Sequence, residues 1–331
     1  MAGKKAKMLI GHKKQLEFLR KSIENKRISQ ALLFVGEDSL GKKKAAFEFL
    51  KILNCQSKGK SLEEKPCNLC QNCKLIEEGR HPDLLFIEPE NGVIQISKIR
   101  ETQAALNLGR QMAEYRGVVI DNAHLLNSQA QSALLKTLEE PAKNTVFILI
   151  TSKPFMLLET IRSRCEALKF YPLPYNEMEK SFKAAYNGYK AEEIASALFV
   201  ARGRPGIAIK ALADSQYLLR EKAMFAEIGK IIGSSIFEKF SFVKSFLDKN
   251  KDTESITEFL DALTLCLRDL MQKKLKVYSN YPLVSFKEEV IEKFSFEKIS
   301  QAVEFIEKIK FLISVFNVNK RLALENLMLK I

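Results

Sequence analysis

The chain has 331 residues, of which 46% are hydrophobic and 28% charged, a composition typical of globular proteins. No apolar run approaches the roughly 20 residues that a membrane-spanning helix needs. The basic N-terminus is not followed by an apolar segment of signal-peptide length, so we expect a cytoplasmic protein with no membrane contact. The net charge of +13 is compatible with nucleic acid nearby and also with lysines scattered over solvated helix faces, so charge alone decides nothing.

Strands alternate with helices over the first half of the chain. Apolar runs predict strands at 31–35, 83–87, 116–121 and 145–151, with helical periodicity between them at 42–53, 96–108 and 128–139. Such alternation predicts βαβ units and a parallel sheet covered on both faces. From about residue 175 onward only helical periodicity remains. We therefore expect a small helical unit and a larger helical bundle after the sheet domain.

The first strand leads into residues 36–43, GEDSLGKK, which follow the phosphate-loop pattern G-x-x-x-x-G-K-[ST] except at the last position. In an active site the loop N–H groups surround phosphates, the lysine meets the β/γ oxygens, and the final hydroxyl holds Mg²⁺. Lys43 stands at that last position, and an ammonium cannot ligate a cation. Gly36, Gly41 and Lys42 are therefore predicted to form a vestigial nucleotide loop.

Residues 117–121, GVVID, resemble a Walker B strand that ends in a carboxylate able to assist Mg²⁺. The following position normally holds a glutamate that polarises the attacking water, but here it is Asn122, whose amide cannot accept the proton. An apolar strand ending in aspartate is by itself most often only core. Together with the glycine loop, it makes Asp121 a vestigial Walker B residue.

Four of the six cysteines, Cys55, Cys67, Cys70 and Cys73, lie close together in the sequence. Four thiolates at this spacing suit a structural, tetrahedral Zn²⁺ with no open position for catalysis. The alternative is an iron–sulfur cluster, since C-x₂-C-x₂-C also occurs in ferredoxins, where a further Cys-Pro follows. Residues 77–78 are Glu-Glu instead, so the sequence favours zinc.

These stretches together resemble the clamp-loader branch of the AAA+ ATPases, most closely the bacterial DNA polymerase III delta-prime subunits. The resemblance spans nearly the whole chain. It rests on the cysteine insertion and on residues 29–34 (SQALLF), 81–83 (HPD), 121–127 (DNAHLLN), 133–141 (ALLKTLEEP), 163–165 (SRC) and 317–327 (NVNKRLALENL).

The resemblance implies an α/β P-loop (AAA+) parallel-sheet domain over 1–168, with a zinc insertion at about 55–73. A helical lid over 169–214 and an all-α collar over 215–331 would follow, the collar joining subunits into a ring. The implied partners are gamma/tau-type and delta-type subunits in a five-membered ring. That ring acts in DNA replication, where it loads the sliding clamp onto primed DNA.

Within such a ring the resemblance gives Ser163 and Arg164 a catalytic role. Arg164 is implied to be an arginine finger that reaches the γ-phosphate of ATP bound by the neighbouring subunit. A guanidinium suits this task because it is permanently charged and its donors match phosphoryl oxygens. Thr151 falls where the first sensor lies. The simpler interpretations are a helix-end arginine that satisfies carbonyl groups and a structural hydroxyl.

Three departures from an ATP-hydrolysing member agree with one another. Lys43 replaces the Mg²⁺ hydroxyl, Asn122 replaces the catalytic carboxylate, and Gly206 stands at the place of the second-sensor arginine. We therefore expect no enzyme activity from this chain alone, and weak or no ATP binding in its own site. An active gamma/tau-type subunit is an alternative that needs a hydroxyl at 43 and a carboxylate at 122. A zinc-containing scaffold protein unrelated to replication is another.

Overall fold

The computed structural model describes residues 9–57, 61–250, 252–277, 286–316 and 318–331, so Asn317 of the last motif lies outside the described residues. Five strands form one parallel sheet in the order β2-β3-β4-β1-β5. They are β1 Ala31–Val35, β2 Leu84–Ile87, β3 Arg116–Ile120, β4 Thr145–Thr151 and β5 Glu166–Lys169. The predicted parallel sheet is confirmed.

Six helices belong to the sheet region: α1 Lys13–Glu24, α2 Lys42–Asn54, α3 Gln71–Glu77, α4 Ile96–Asn107, α5 Ser128–Glu139 and α6 Glu159–Arg162. Side chains alternate along the strands, so both faces of the sheet are buried. Leu32 and Ile148 pack with α1 and α2 on one face, whereas Leu33 and Phe147 pack with α4 and α5 on the other. This two-sided burial explains why the strands are nearly continuous apolar runs.

The strand β5 was missed in the sequence prediction. It pairs with β1 in parallel, Leu32 opposite Glu166 and Val35 opposite Lys169, at the edge of the sheet. Its side chains are mostly exposed, so its sequence, EALK, carries no apolar run to reveal it. The strand follows directly after Cys165 and therefore attaches the 163–165 stretch to the sheet.

Beyond the sheet, the described residues form helices alone, as predicted. They are α7 Tyr175–Ala185, α8 Ala191–Ala201, α9 Pro205–Ala213, α10 Ser215–Ile232, α11 Ile236–Lys249, α12 Thr253–Lys274, α13 Glu288–Lys293, α14 Phe296–Val315 and α15 Lys320–Lys330. Side chains of Asp214, Ser235, Asp252, Ser295 and Asn319 accept N–H groups at the starts of five of these helices. The α/β P-loop sheet followed by all-helical regions is the predicted fold class.

The chain divides into two compact units. One comprises Met1–Lys190 with Gly203–Ile209, and the other comprises Ala191–Arg202 with Lys210–Ile331. The leucines at 260, 263, 267 and 270 are buried in the core of the second unit. The division into three domains at 168 and 214 remains a prediction. Among the described helices, none combines the length and apolar character needed to cross a membrane.

Candidate nucleotide cleft and metal centre

A cleft of about 690 Å³ opens at the carboxyl edge of the sheet. Because the strands are parallel, the segments that follow β1, β3 and β4 meet at this edge. The lining combines the glycine loop, the first turns of α2, the end of β3 and part of α9: Asp38, Ser39, Leu40, Gly41, Lys42, Lys43, Lys44, Phe47, Glu77, Asp121, Asn122, Ile150, Gly206 and Ile209. The structure thus places Gly41, Lys42 and Asp121 in one cleft, and their role as a vestigial nucleotide site stays a prediction.

Both glycines of the loop are needed for its shape. A Cβ at Gly36 would lie 2.5 Å from the carbonyl oxygen of Phe170, a distance that no side chain tolerates. Gly41 precedes α2 with φ of 93°, in the left-handed region that favours glycine. The N–H of Gly36 donates to the carbonyl of Thr151 at 3.1 Å and so ties the loop to β4.

Lys42 is buried, and its ammonium is bound by the loop itself. Its Nζ donates to the carbonyl of Gly36 and, at 2.5 Å, to that of Glu37, and it lies 3.9 Å from Asp38. Burial lowers the pKa of Lys42, while Asp38 and Asp121 oppose that fall. A phosphate would have to compete with these carbonyl groups for the ammonium.

Lys43 makes the contacts that matter most for the chemistry of the cleft. Its ammonium pairs with Glu88 and lies 3.7 Å from Oδ2 of Asp121. Burial raises the pKa of Asp121, and the positive charge of Lys43 opposes that rise. Lys43 therefore not only lacks a ligand for Mg²⁺ but neutralises the carboxylate that would assist the ion. Glu88 was not identified from the sequence, although it directly follows β2 at the same edge.

Asn122 lines this cleft, and Thr151 ends β4 at the same edge of the sheet. Asn122 adopts φ of 51°, a left-handed conformation that asparagine tolerates better than glutamate does. The buried hydroxyl of Thr151 lies 3.2 Å from Nδ1 of His124 and accepts the N–H of Lys153 at 3.0 Å. His124 was not singled out in the sequence. Its burial lowers its pKa.

Gly206 contacts the glycine loop directly. Its N–H donates to the carbonyl of Ser39 at 2.8 Å, and a Cβ at this position would lie 3.0 Å from both Cβ and O of Ser39. A side chain at 206 would therefore have to displace the loop. An arginine at this position would require a shift of a few tenths of an ångström between Ser39 and α9.

Arg164 follows α6, and the described residues that line the cleft do not include it. Its Nη2 pairs with Glu139 at 2.8 Å, its Nη1 donates to the carbonyl of Thr160 at 3.0 Å, and its side chain is 38% exposed. Ser163 is exposed and its hydroxyl donates to the same carbonyl at 3.2 Å. The carbonyl contact is the one expected of a helix-end arginine. The ion pair with Glu139 was not anticipated.

The four clustered cysteines converge as predicted. Their Sγ atoms all lie within 4.8 Å of one another. Tetrahedral Zn²⁺ with Zn–S bonds of ~2.3 Å places its sulfurs roughly 3.8 Å apart, so the cluster fits such an ion with small adjustments. Burial disfavours the Cys67 thiolate, but the N–H groups of Leu69 and Cys70 outweigh this and help lower its pKa to about 6. The cluster can hold a metal ion.

A buried charge network joins this metal centre to α2. Lys51 is 1% exposed, and its ammonium donates to Glu48 at 2.6 Å, to Glu77 of α3 at 2.9 Å and to Asn68 at 3.0 Å. Lys44, in the first turn of α2, also pairs with Glu77. This network was not predicted from the sequence, because its members are spread over more than 25 positions.

Comparisons with known proteins agree with this geometry. The family model described as DNA polymerase III, delta subunit, matches residues 11–174, which include the cleft lining except for Gly206 and Ile209, the four cysteines and Arg164. The DNA polymerase III subunit delta' of Bacillus subtilis (strain 168) is 38% identical over 164 residues, 50% of this chain and 49% of that protein. The chain thus spans about half the length of this relative. The delta' subunit of Haemophilus influenzae is 27% identical over 302 residues, 89% of this chain and 88% of that protein.

A crystal structure supports the fold alone. A DNA polymerase III, gamma subunit-related protein from Thermotoga maritima superposes with a TM-score of 0.50 at 20% identity. The superposition covers 95% of this chain and 97% of that protein.

Proposed function

We propose that this chain, a member of the family of DNA polymerase III delta-prime subunits, is a clamp-loader subunit that does not hydrolyse ATP. It works in the cytoplasm in a five-membered ring with gamma/tau-type and delta-type subunits. The ring loads the sliding clamp onto primed DNA. This chain contributes Arg164, with Ser163 beside it, to the ATP site of a neighbour.

The observation that carries the non-hydrolysing role is the contact of Lys43 with Asp121. A cation fixed to the protein takes the place beside the Walker B carboxylate where Mg²⁺ is needed, and at 3.7 Å it neutralises that carboxylate. Asn122 offers no general base, and Gly206 offers no second-sensor charge. Any nucleotide that binds the cleft through Gly36, Gly41 and Lys42 therefore binds weakly and is not turned over.

The trans role of Arg164 is supported by its surroundings. The side chain lies outside the lining of its own chain's cleft and is 38% exposed, so it is accessible to another molecule. A permanently charged, forked donor is the group that best stabilises a transferring phosphoryl group. The metal centre, which we assign to structural zinc held by Cys55, Cys67, Cys70 and Cys73, stabilises the same unit.

The two alternatives receive less support. A gamma/tau-type ATPase requires the hydroxyl and the carboxylate that positions 43 and 122 lack. The likeness to the gamma subunit-related structure concerns the fold only. A scaffold unrelated to replication gives no reason for an exposed arginine in a domain that keeps the residues of a nucleotide loop.

The test uses the complete loader, reconstituted from this chain with tau- or gamma-type and delta-type subunits. Arg164→Ala should leave the stoichiometry of the complex unchanged but lower clamp-stimulated ATP turnover by tenfold or more. Arginine fingers in GTPases contribute ~10³–10⁵ in rate, which sets the scale. The matched control is Arg162→Ala, two residues earlier and exposed. Turnover that is unchanged in Arg164→Ala, or failure of the chain to enter the complex, contradicts the proposal.

A further inference from the structure

Two arginines flank Ser163, and two glutamates end the segment 133–140, but only one ion pair forms between these residues. Arg164 pairs with Glu139 at 2.8 Å. Among the described residues, neither Arg162 nor Glu140 makes an ion pair. Of the two arginines and the two glutamates, only Arg164 and Glu139 therefore form a pair. This arginine is the one to which the proposed function gives a catalytic role.

The pair does little for the stability of the fold. Glu139 is the last residue of α5, where a negative charge meets the negative end of the helix dipole, which is unfavourable. The side chains of Arg164 and Glu139 are 38% and 49% exposed, and pairs this exposed to solvent add little to the stability of a fold. A stabilising role therefore does not explain why Glu139 lies here.

The pair does restrict the position of the guanidinium. Nη2 is held by Glu139, and Nη1 is held by the carbonyl of Thr160 at 3.0 Å. The two terminal nitrogens are thus fixed from two different helices, α5 and α6. A guanidinium has five N–H donors, and these two contacts use only two of them. The group can therefore stay anchored while its other donors meet an anion.

We propose that Glu139 is the positioning residue of Arg164, holding the guanidinium in the orientation in which it meets the phosphate of the neighbouring subunit. This inference rests on the proposed function. A long arginine side chain has many rotamers, and the anchor restricts them before the phosphate arrives. Catalysis gains when the stabilising charge is already in place, because no reorganisation is needed in the transition state.

The decisive experiment is a double-mutant cycle in the reconstituted loader, with kcat and KM for ATP measured separately. Glu139→Ala should lower clamp-stimulated kcat by roughly three- to tenfold, with little change in KM, since a tenfold loss corresponds to 1.36 kcal/mol of the barrier. Glu139→Gln keeps an acceptor for Nη2 and should retain most of the rate. In the Arg164→Ala background, Glu139→Ala should have no further effect, because the residue it positions is absent.

Glu140→Ala is the matched control and should behave as the unmodified chain. If Glu139→Ala leaves kcat unchanged, raises it, or lowers it equally in both backgrounds, the inference is wrong while the role of Arg164 stands. If Arg164→Ala itself has no effect, the proposed function fails instead. Complex stoichiometry is measured for each variant.

A second measurement on the isolated full chain does not depend on assembly. The Arg164 side-chain ¹⁵N signals, assigned with Arg164→Ala, should shift in Glu139→Ala and not in Glu140→Ala. Arg164 signals that do not shift in Glu139→Ala would also overturn the inference.

Discussion

At the scale of single residues, the ammonium of Lys43 contacts the two carboxylates that follow β2 and β3, Glu88 and Asp121. We expect Lys43→Ser, which removes the charge and supplies a hydroxyl, to create Mg²⁺-dependent nucleotide binding. ATP should bind this variant at least about tenfold more tightly with Mg²⁺ than without, a difference of 1.4 kcal/mol. Isothermal titration of the isolated chain, with and without Mg²⁺, measures this change.

The control for this prediction is Lys43→Met, which removes the charge without adding a ligand. It should bind nucleotide with little dependence on Mg²⁺. The serine variant should still not hydrolyse ATP, because Asn122 provides no base and its left-handed backbone disfavours a glutamate. If Mg²⁺ changes ATP binding equally in both variants, the absence of a hydroxyl at position 43 is not the reason that the cleft fails to use Mg²⁺.

At the scale of elements, α2 connects the glycine loop at its start with the metal centre at its end. Lys42 and Lys43 occupy its first turn, and Cys55 directly follows its last residue, Asn54. The side chain of Asn72 in α3 donates to the carbonyl of Asn54 at 2.9 Å, and Lys51 joins α2 to Glu77. A change at the metal centre should therefore alter the stability of α2.

Metal removal should loosen this region and not the opposite face of the sheet. We expect a chelator to lower the free energy of unfolding by at least about 2 kcal/mol, since ligand binding to the folded state alone adds to stability. Hydrogen exchange should increase in α3 and the end of α2, with α4 and α5 much less affected. Mass spectrometry of exchanged peptides measures this directly.

Cys73→Ser is the control for metal removal. It should reproduce the loosened state, and a chelator should then add nothing. Uniform exchange over the whole sheet domain, or a chain purified without metal that is equally protected, contradicts the prediction. Iron in the purified protein would overturn the assignment to zinc, but the assignment of a metal centre to these cysteines would stand.

The sequence predicted those elements whose signal is local. The strands β1, β3 and β4 are apolar runs, and the glycine loop and the cysteine spacing are patterns within a short window. The strand β5 carries no such pattern, because an exposed edge strand needs no apolar run. Glu88 and Glu139 were missed for a different reason. Their partners, Lys43 and Arg164, lie 45 and 25 positions away, and only the folded chain brings each pair together.

At the scale of the whole molecule, the chain contains three histidines, and all lie buried in the unit that holds the cleft: His12, His81 and His124. Nε2 of His12 lies 2.8 Å from the carbonyl of Leu40 in the glycine loop, and Nδ1 of His81 accepts the N–H of Asp83 at 3.1 Å. Burial lowers the pKa of each histidine below its usual value. The folded chain therefore keeps all three neutral at a pH where the unfolded chain begins to protonate them.

This difference predicts a loss of stability between pH 7.5 and 5.5. A lowered pKa in the folded state means that the unfolded chain binds more protons as the pH falls through about 6.5, so acid favours unfolding. Each histidine contributes a slope of up to about 1.4 kcal/mol per pH unit.

In metal-free protein the thiol of Cys67, with its pKa lowered to about 6, acts in the same direction. Urea denaturation at several pH values measures the slope. The cysteines contribute alike to the unmodified chain and to each histidine variant, so the difference between them isolates the histidine. Replacing His81 by Gln should lower this slope by the contribution of one proton, up to about 1.4 kcal/mol per pH unit. His124→Gln should have the same effect. A free energy of unfolding that stays constant or rises toward pH 5.5 would contradict this prediction. It would show that the folded chain protonates these histidines as readily as the unfolded chain does.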